Sequence, residues 1–175
     1  MTRKLRVSPL ASPLEVVLVE PEIPQNTGNI ARLCAATQCP LHLVGRLGFQ
    51  IDEKAVRRAG LDYWHLVKLE THPDFRSFEL RKPSAKIHVF SATGAKSYLD
   101  MDIAPGDALV FGKESAGLPR DLLERFSDRC YGIPTAGAVR SINLASAAAI
   151  VVYEALRKCG GLDNAKLEDD PLGSL

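Results

Sequence analysis

The chain contains 175 residues, of which 46% are hydrophobic and 25% are charged, and these proportions suit a single globular domain with one core. No apolar run approaches the roughly 20 residues that span a bilayer, so we do not expect a membrane protein. No long apolar block follows the basic residues near the N-terminus, so we do not expect a secretory signal. A cytoplasmic location is therefore expected. The formal net charge of +1 at pH 7 does not by itself indicate a nucleic-acid-binding protein.

Composition divides the chain into three regions. Residues 1–13 include three basic residues and are expected to form a flexible basic arm. Residues 14–159 hold the regular apolar pattern and are expected to form the folded domain. Residues 160–175 contain one Lys and four acidic residues with little apolar content, so an acidic, disordered tail is expected there.

Short apolar runs alternate with amphipathic segments between these ends. In chain order they predict a strand at 15–19, a helix at 26–38, a strand at 41–44, a helix at 52–59, a strand at 64–69, a helix at 73–80, strands at 87–91 and 108–111, a helix at 119–126, a strand at 129–133 and a helix at 141–158. Asn26 or Thr27 is the expected N-cap of the first helix. Apolar strands interleaved with helices predict an α/β fold with a largely parallel sheet covered on both faces.

Three turn-rich loops follow predicted strands and indicate where a ligand would bind. Ligands of parallel sheets lie outside the carboxyl ends of the strands, which here means the loops after Ser91, Phe111 and Ile133. The loop 112–117 is not a phosphate-binding P-loop, because Leu-Pro follows its second glycine where Lys and Ser or Thr are required. Its two glycines suit a close approach by a ligand, and they suit an ordinary strand-to-helix turn equally well.

Polar residues on two predicted helices have both a structural and a functional interpretation. Arg32 lies six residues after Asn26, and its planar donor group could clamp a phosphate or carboxylate or could simply face solvent. Arg140, Ser141 and Asn143 open the last helix, where an N-cap at Ser141 is the simpler interpretation.

The last predicted helix, 141–158, is apolar on nearly every side. Such a helix is expected to be buried all round, which is difficult for the terminal helix of a small domain. A subunit interface would bury it, and packing within a single chain is the alternative.

The cysteines and histidines show no metal-binding pattern. No Cys-x-x-Cys pair occurs, and the histidines are scattered rather than clustered at ligand spacing. We therefore expect reduced thiols, no metal site and no particular role for any histidine. The residues concerned are Cys34, Cys39, Cys130, Cys159, His42, His65, His72 and His88.

Three of these segments, in this order, resemble the motifs of SPOUT methyltransferases of the SpoU type. The first motif, an Asn followed after five residues by an Arg, matches Asn26 and Arg32. The second, Phe-Gly-x-Glu-x-x-Gly-Leu, matches residues 111–118. The third is Ile-Pro, a spacer and then Ser-x-Asn-Leu, and it matches Ile133-Pro followed by residues 141–144.

Segments 20–30, 41–44, 47–49 and 57–63 are similar to the minimal tRNA (cytidine/uridine-34) 2′-O-methyltransferases. That resemblance implies a Rossmann-like, largely parallel sheet with a C-terminal trefoil knot, and a homodimer that holds S-adenosylmethionine in the knot. It also implies methyl transfer to the ribose 2′-hydroxyl of the wobble nucleotide of tRNA, without metal. A 2′-O-methyltransferase acting on rRNA or another tRNA position, and a catalytically inactive RNA- or nucleotide-binding protein, are the alternatives.

The resemblance assigns roles to individual residues. The expected catalytic residues are Arg32, Asn26, Glu114, Ser141 and Asn143. The expected cofactor-binding residues are Ser91, Thr93, Gly94, Gly112, Gly117, Ile133 and Ser141. Among these, Arg32 is expected to hold a phosphate of the RNA, because guanidinium stays charged and is a poor base.

The chain departs from the subfamily pattern around the expected pocket. Lys113 stands where the subfamily usually has Pro, and Ala116 where it usually has Arg. Ala145-Ser146 replaces the usual Ser-Asn after the third motif. Basic residues near Lys54 and in the N-terminal arm are the expected contacts for tRNA phosphates.

Overall fold

The structure, a computed structural model, describes residues 3–49 and 64–169, so the helix expected at 52–59 lies outside it. The strands are β1 (Arg3–Arg6), β2 (Glu15–Val19), β3 (Leu41–Val44), β4 (Leu69–His72), β5 (Ile87–Phe90), β6 (Lys96–Ser97), β7 (Ala108–Phe111), β8 (Cys130–Gly132) and β9 (Lys166–Asp169). The helices are α1 (Pro24–Thr37), α2 (Phe75–Arg81), α3 (Arg120–Arg125) and α4 (Leu144–Lys158). Short 3-10 helices span Trp64–Leu66, Tyr98–Asp100 and Ser127–Arg129.

Seven strands form one sheet in the order β4-β3-β2-β7-β5-β8-β6, and every neighbouring pair is parallel. This arrangement confirms the predicted α/β fold with a parallel sheet. The reversal of strand order around β7 brings the carboxyl ends of β2, β5 and β7 side by side, which is where such sheets bind ligands. The trefoil knot stays a prediction from the resemblance.

Alternate residues of each central strand face two separate apolar cores, because side chains along a strand point to opposite faces of the sheet. Val16 and Leu18 of β2 pack in the core that includes apolar residues of α1 and α4. Val17 and Val19 pack in the other core, with residues of α2 and α3. All five residues of β2 are buried, which explains why its sequence is continuously apolar after Glu15.

Two predicted boundaries were wrong in the first half of the chain. α1 begins at Pro24, with Ile23 at the N-cap position, and Asn26 and Thr27 lie buried within its first turn. Proline suits the first helical position because its φ is already helical and its missing N–H is not needed there. The strand expected at 64–69 begins only at Leu69, which pairs with Leu41 at the start of β3. Residues Trp64–Leu66 form a 3-10 helix instead.

The start of the last helix also differs from the prediction. α4 begins at Leu144, and the N-cap is Asn143 rather than Ser141. The Asn143 Oδ1 accepts hydrogen bonds from the backbone N–H groups of Ala145 at 2.9 Å and Ser146 at 3.3 Å. Asparagine is among the most favourable N-cap residues, so it competes well with a serine two positions earlier.

α4 is not buried on all sides within one chain. Ala148, Val151, Val152, Ala155 and Leu156 are buried against the sheet and α1. Exposed residues form one stripe along the opposite side of the helix, since they recur at intervals of three or four. The stripe consists of Ser146, Ile150, Tyr153 and Arg157, and Lys158 is also exposed at the end of the helix. Ile150 and Tyr153 are 37% and 49% exposed.

The described parts of the two chain ends are not irregular. β1 pairs antiparallel with β9 in a separate two-stranded sheet, although every residue of both strands is exposed. Leu5 lies opposite Leu167, and Arg3 forms an ion pair of 3.7 Å with Asp169. Such cross-strand apolar and opposite-charge pairs favour a two-stranded antiparallel ribbon between the chain ends, which composition alone does not reveal.

The cysteines and the helices bear on two further expectations, reduced thiols and the lack of a membrane span. All four cysteines are free, and Cys34 and Cys39 are buried. Among residues 3–49 and 64–169, no helix has the length and apolar character needed to cross a membrane.

Candidate active site

A cavity of about 750 Å³ opens at the carboxyl ends of β5, β7 and β8. Its apolar wall includes the aromatic rings of Phe90, Phe111 and Tyr131. The Phe90 ring is stacked on Phe111 with 5.1 Å between centroids, and it lies 5.9 Å from Tyr131. The volume is typical of a pocket for a small molecule or cofactor, and the three rings, each at most 8% exposed, form its packed base.

Two glycines allow the loops around the cavity to pass very close to one another. A Cβ on Gly94 would overlap the backbone of Tyr131 and Gly132. A Cβ on Gly112 would overlap the backbone of Gly117, which itself has φ of +73°. Any side chain at these positions would push the cavity wall apart, so the sequence requires glycine there.

Ser91 and Thr93 hold the first loop in place. The Ser91 backbone N–H donates to the Tyr131 carbonyl at 3.0 Å, which ties this loop to β8. The Ser91 Oγ lies 2.9 Å from the Thr93 Oγ1 and accepts from the Thr93 N–H at 3.2 Å. Both residues line the cavity, and Gly94 lies behind them against β8.

Glu114, Asn26 and Asn143 form a continuous hydrogen-bond network, here called the Glu114 network. The Glu114 Oε1 accepts from the Asn26 Nδ2 at 3.0 Å, and the Asn26 Oδ1 accepts from the Asn143 Nδ2 at 3.0 Å. The Glu114 carboxylate also accepts from the backbone N–H groups of Glu22 at 2.8 Å and Ile23 at 3.2 Å. The network therefore joins the loop after β7, the start of α1 and the start of α4, which carry the three sequence motifs.

The carboxylate of Glu114 lies at the start of α1, which has no side-chain cap of its own. Ile23, at the N-cap position, has no side chain that can accept a hydrogen bond. The Glu114 carboxylate accepts from the N–H groups of the two residues that precede the first helical turn, and the positive end of the helix dipole adds a favourable interaction with its charge. Glu114 supplies this charge from 91 residues away in the sequence.

A second set of contacts fastens the same loop to the segment after β2, and sequence analysis did not single it out. The Glu22 carboxylate accepts from the Ser115 Oγ at 2.9 Å and the Ser115 N–H at 3.0 Å. These two hydrogen bonds hold the pKa of the Glu22 carboxyl below its ordinary value. Lys113 forms an ion pair of 3.1 Å with Glu20, and the Arg140 Nη2 donates to the Ser115 carbonyl at 3.2 Å.

These contacts could have been suspected from only one signal in the sequence. That signal is Lys113, which stands where the subfamily usually has Pro. In the structure its partner Glu20 has an unusual positive φ of 50°. The lysine therefore adds an ion pair that a proline at the same position could not form.

The structure brings most of the expected site residues together. Nine of them line the cavity: Asn26, Ser91, Thr93, Gly112, Glu114, Gly117, Ile133, Ser141 and Asn143. Gly94 does not line the cavity, but it follows Thr93 and packs against the backbone of Tyr131 and Gly132. Arg32 is exposed on α1 and does not line the cavity, because the six residues that separate it from Asn26 place it roughly 9 Å further along the helix and on another side.

Comparison with known proteins gives close relatives over most of the chain. A tRNA (cytidine(34)-2′-O)-methyltransferase from Saccharophagus degradans is 45% identical over 146 residues, which cover 83% of this chain and 95% of the relative. A solved structure described for the 2-OH methylation of C/U34 on tRNA has a TM-score of 0.79 and 46% identity, covering 84% of this chain and 96% of that one.

A more distant solved structure is the AdoMet-bound rRNA methyltransferase from Sinorhizobium meliloti. It has a TM-score of 0.74 and 26% identity, and it covers 87% of this chain and 61% of that one. The model of the SpoU rRNA Methylase family matches residues 13–153, which include all three motifs and every residue that lines the cavity. The chain belongs to the SpoU rRNA Methylase family.

Proposed function

We propose that this protein transfers a methyl group from S-adenosylmethionine to the ribose 2′-hydroxyl of the wobble nucleotide, position 34, of tRNA. The observation that carries the proposal is the Glu114 network, which gathers the three family motifs at the wall of one cofactor-sized cavity. The names of the relatives that match over more than four fifths of the chain supply the tRNA position.

The cavity has the features that S-adenosylmethionine requires. Its volume, its apolar lining and its glycine-containing loops suit a heteroaromatic ligand that is held by backbone groups. Ser91, Thr93, Gly112, Gly117, Ile133 and Ser141 are the residues of this chain that would contact the cofactor, and Gly94 allows the first loop to close. The cofactor supplies an electrophilic methyl group, so the protein must position the ribose and accept its proton without needing a metal.

The structure suggests distinct tasks for the polar residues. Asn143 uses its oxygen to cap α4 and one amide hydrogen to bind Asn26, so we assign it mainly to positioning. Ser141 has an exposed side chain at the cavity, and we assign it to orienting the ribose. Arg32 lies on the exposed side of α1, where its donor fork suits a phosphate of the RNA rather than the cofactor.

We also propose a cytoplasmic homodimer in which the exposed stripe of α4 contributes to the interface. Ile150 and Tyr153 expose apolar surface within this stripe. Light scattering should give a particle of twice the 19.0 kDa chain mass at micromolar concentration. An Ile150→Glu variant should be monomeric or insoluble, because an interface disfavours an unpaired charge; a soluble dimer would rule out this interface.

Methyl transfer from labelled S-adenosylmethionine to separated tRNA and rRNA pools tests the proposed function directly. We expect label in tRNA, and mass spectrometry of nuclease digests should place the new methyl on the ribose of nucleotide 34. Label in rRNA, a base methyl, or a ribose methyl at another position would overturn the assigned target. Calorimetry should show one cofactor bound per chain without added metal, and absence of binding by folded protein would favour an inactive RNA-binding protein.

A further inference from the structure

A second polar cluster is formed by side chains of the neighbouring strands β2, β3 and β4, and none of its members lines the cofactor cavity. It consists of Glu15 on β2, His42 on β3, and Glu70 and His72 on β4, and we call it the histidine cluster. The His42 Nδ1 lies 3.0 Å from the His72 Nε2, and the His42 Nε2 lies 2.7 Å from the Glu15 Oε2. His42 is 0% exposed, and Glu15 and His72 are 7% and 8% exposed.

The Glu15 carboxylate determines which nitrogen of His42 carries a proton. Because Glu15 is paired with the Lys82 ammonium at 2.7 Å, its carboxylate is ionised and must receive a hydrogen from the His42 Nε2. A neutral His42 then presents the lone pair of Nδ1 toward His72. Carboxylates that hold the far nitrogen of a histidine in this manner are the usual outer partners of metal-binding imidazoles.

The geometry at the other side of His42 suits a metal ion. Ligand atoms of His42, His72 and Glu70 all lie within 4.8 Å of one another. Two imidazole nitrogens bound to one tetrahedral zinc ion at 2.0–2.1 Å would be roughly 3.3 Å apart. The present nitrogen separation of 3.0 Å therefore needs to grow by only a few tenths of an ångström.

We propose that His42, His72 and Glu70 form a zinc-binding site with two imidazole ligands and one carboxylate ligand, and that Glu15 is its outer partner. Two imidazoles and a carboxylate are a ligand set that zinc accepts, with a water molecule in the fourth position. The ligands come from two paired strands, which hold them rigidly.

An ion can reach this site from the side of Glu70. The Glu70 side chain is 35% exposed, and its ion pair of 3.2 Å with Arg81 is largely solvated, so it can give way to a stronger ligand. Glu15 and Glu70 bring two negative charges to the site, and the Lys82 ammonium binds the Glu15 oxygen that does not face His42.

Such a site would fasten the edge strand β4 to β3, and it would not take part in methyl transfer. The cluster is separate from the cavity residues. A ligand that binds only the folded state raises its stability, so zinc should raise the melting temperature.

The test uses the full chain after treatment with a chelator and dialysis. Calorimetric titration with zinc chloride should show one ion per chain. Cobalt chloride should give the visible absorption bands of tetrahedral Co²⁺ with the same stoichiometry. His72→Gln should abolish binding, Glu70→Gln should weaken it at least tenfold, and Glu15→Gln should weaken it by about tenfold or more through loss of the outer partner.

Control variants keep the result interpretable. His65→Gln removes an exposed histidine outside the cluster and should bind zinc as the parent does. Glu70→Gln retains both buried imidazoles and is partly exposed, so it remains folded if His72→Gln does not. Circular dichroism checks the fold of each variant.

Absence of zinc binding at about 100 µM metal, or equal binding by the parent and Glu70→Gln, would overturn the proposal. Methyl transfer by the zinc-free protein is measured in parallel and should equal that of the zinc-loaded protein. Failure of zinc binding would leave the methyltransferase proposal standing, and loss of methyl transfer would leave the zinc result standing, so the two failures are distinguishable.

Discussion

The Glu114 network and the histidine cluster are each built around a carboxylate that accepts several hydrogen bonds, but they lie in different kinds of place. Glu114 is half-buried in a loop at the cavity, and it joins segments that are far apart in the chain. Glu15 is buried at the start of β2, and it joins neighbouring strands. Similar chemistry therefore positions the loops at the cavity in one region and stabilises the sheet in the other.

This difference predicts separable consequences. Changes around the Glu114 network should alter methyl transfer more than stability, because loops at a site must be held to within about an ångström for efficient chemistry. Changes in the histidine cluster should alter stability and leave methyl transfer at 25 °C unchanged, since none of its members lines the cavity.

The largest expected effect is at Arg32, on the helix that the Glu114 network holds in place. Arg32→Ala should lower kcat/KM for tRNA methylation by at least about 100-fold, because we propose that this permanently charged planar donor binds a phosphate of the RNA. Cofactor affinity measured by calorimetry should stay within about threefold of the parent value.

Arg32→Lys distinguishes a bidentate contact from simple charge. Lysine retains the charge but not the planar fork, so we expect recovery of only a small part of the lost activity. Full recovery would show that charge alone suffices. A collapse of cofactor affinity in Arg32→Ala would instead place this residue on the cofactor side of the site.

Glu114→Gln should have the next largest effect. Three donors converge on the two carboxylate oxygens, from Glu22, Ile23 and Asn26. A glutamine offers one acceptor oxygen, so its NH₂ group must face at least one donor whichever way the amide is turned. We expect kcat/KM to fall by about 10- to 100-fold and cofactor affinity to fall with it.

A matched control is Glu124→Gln, which removes a carboxylate whose partner is Arg120 on the surface of α3. Surface pairs of this kind contribute little, so the control should behave like the parent. If Glu114→Gln kept full activity and affinity, the Glu114 network would have no role in shaping the site.

Much of the fold could be predicted because the central strands are continuously apolar. The predicted bounds of β2, β3 and β7 agree with the structure, and β5 ends only one residue earlier than predicted. These strands are buried on both faces, so their pattern depends little on any particular neighbour. The parallel arrangement then placed the cavity at the loops that follow the strands.

Features that depend on distant partners could not be predicted in the same manner. The start of α1 relies on Glu114, and the clamp between Glu22 and Ser115 joins residues 93 positions apart. The histidine cluster was missed because His42 and His72 are 30 residues apart, far from any metal-motif spacing, and only the pairing of β3 with β4 brings them together.

Glu15→Gln should lower stability without lowering activity. Burial opposes ionisation of Glu15, but the hydrogen bonds from His42 and Lys82 outweigh it and hold the pKa of the carboxyl below its ordinary value. Losing charged hydrogen bonds at a buried site should lower the free energy of unfolding by about 2 kcal/mol. Urea unfolding should show a lower midpoint with an unchanged m-value, while methyl transfer at 25 °C stays constant.

The matched control for this variant is Glu70→Gln in zinc-free protein. Its partner Arg81 is 64% exposed, so the loss should be at most about 1 kcal/mol. Equal losses of unfolding free energy in the two variants would mean that burial does not make the Glu15 carboxylate more important for stability than the partly exposed Glu70 carboxylate.

The smallest expected effect is a change in how stability depends on pH. Burial, and next the neighbouring His42, lower the pKa of His72 below its ordinary value, and burial also lowers the pKa of His88 despite its hydrogen bond to Asp107. Below about pH 6.5 the unfolded chain therefore binds protons that the folded chain still excludes, so stability falls as the pH falls. Each histidine can contribute at most about 1.4 kcal/mol per pH unit.

His72→Gln tests this assignment in zinc-free protein. The variant cannot take up a proton at position 72, while His88 continues to contribute, so the slope of unfolding free energy between about pH 6.5 and 5.5 should become shallower without vanishing. The slope is the relevant quantity, because the lost hydrogen bond to His42 lowers stability at every pH. Urea unfolding of parent and variant at several pH values gives both slopes. Identical slopes would mean that His72 has the same proton affinity in the folded and unfolded chains, and that the acid sensitivity of the protein arises elsewhere.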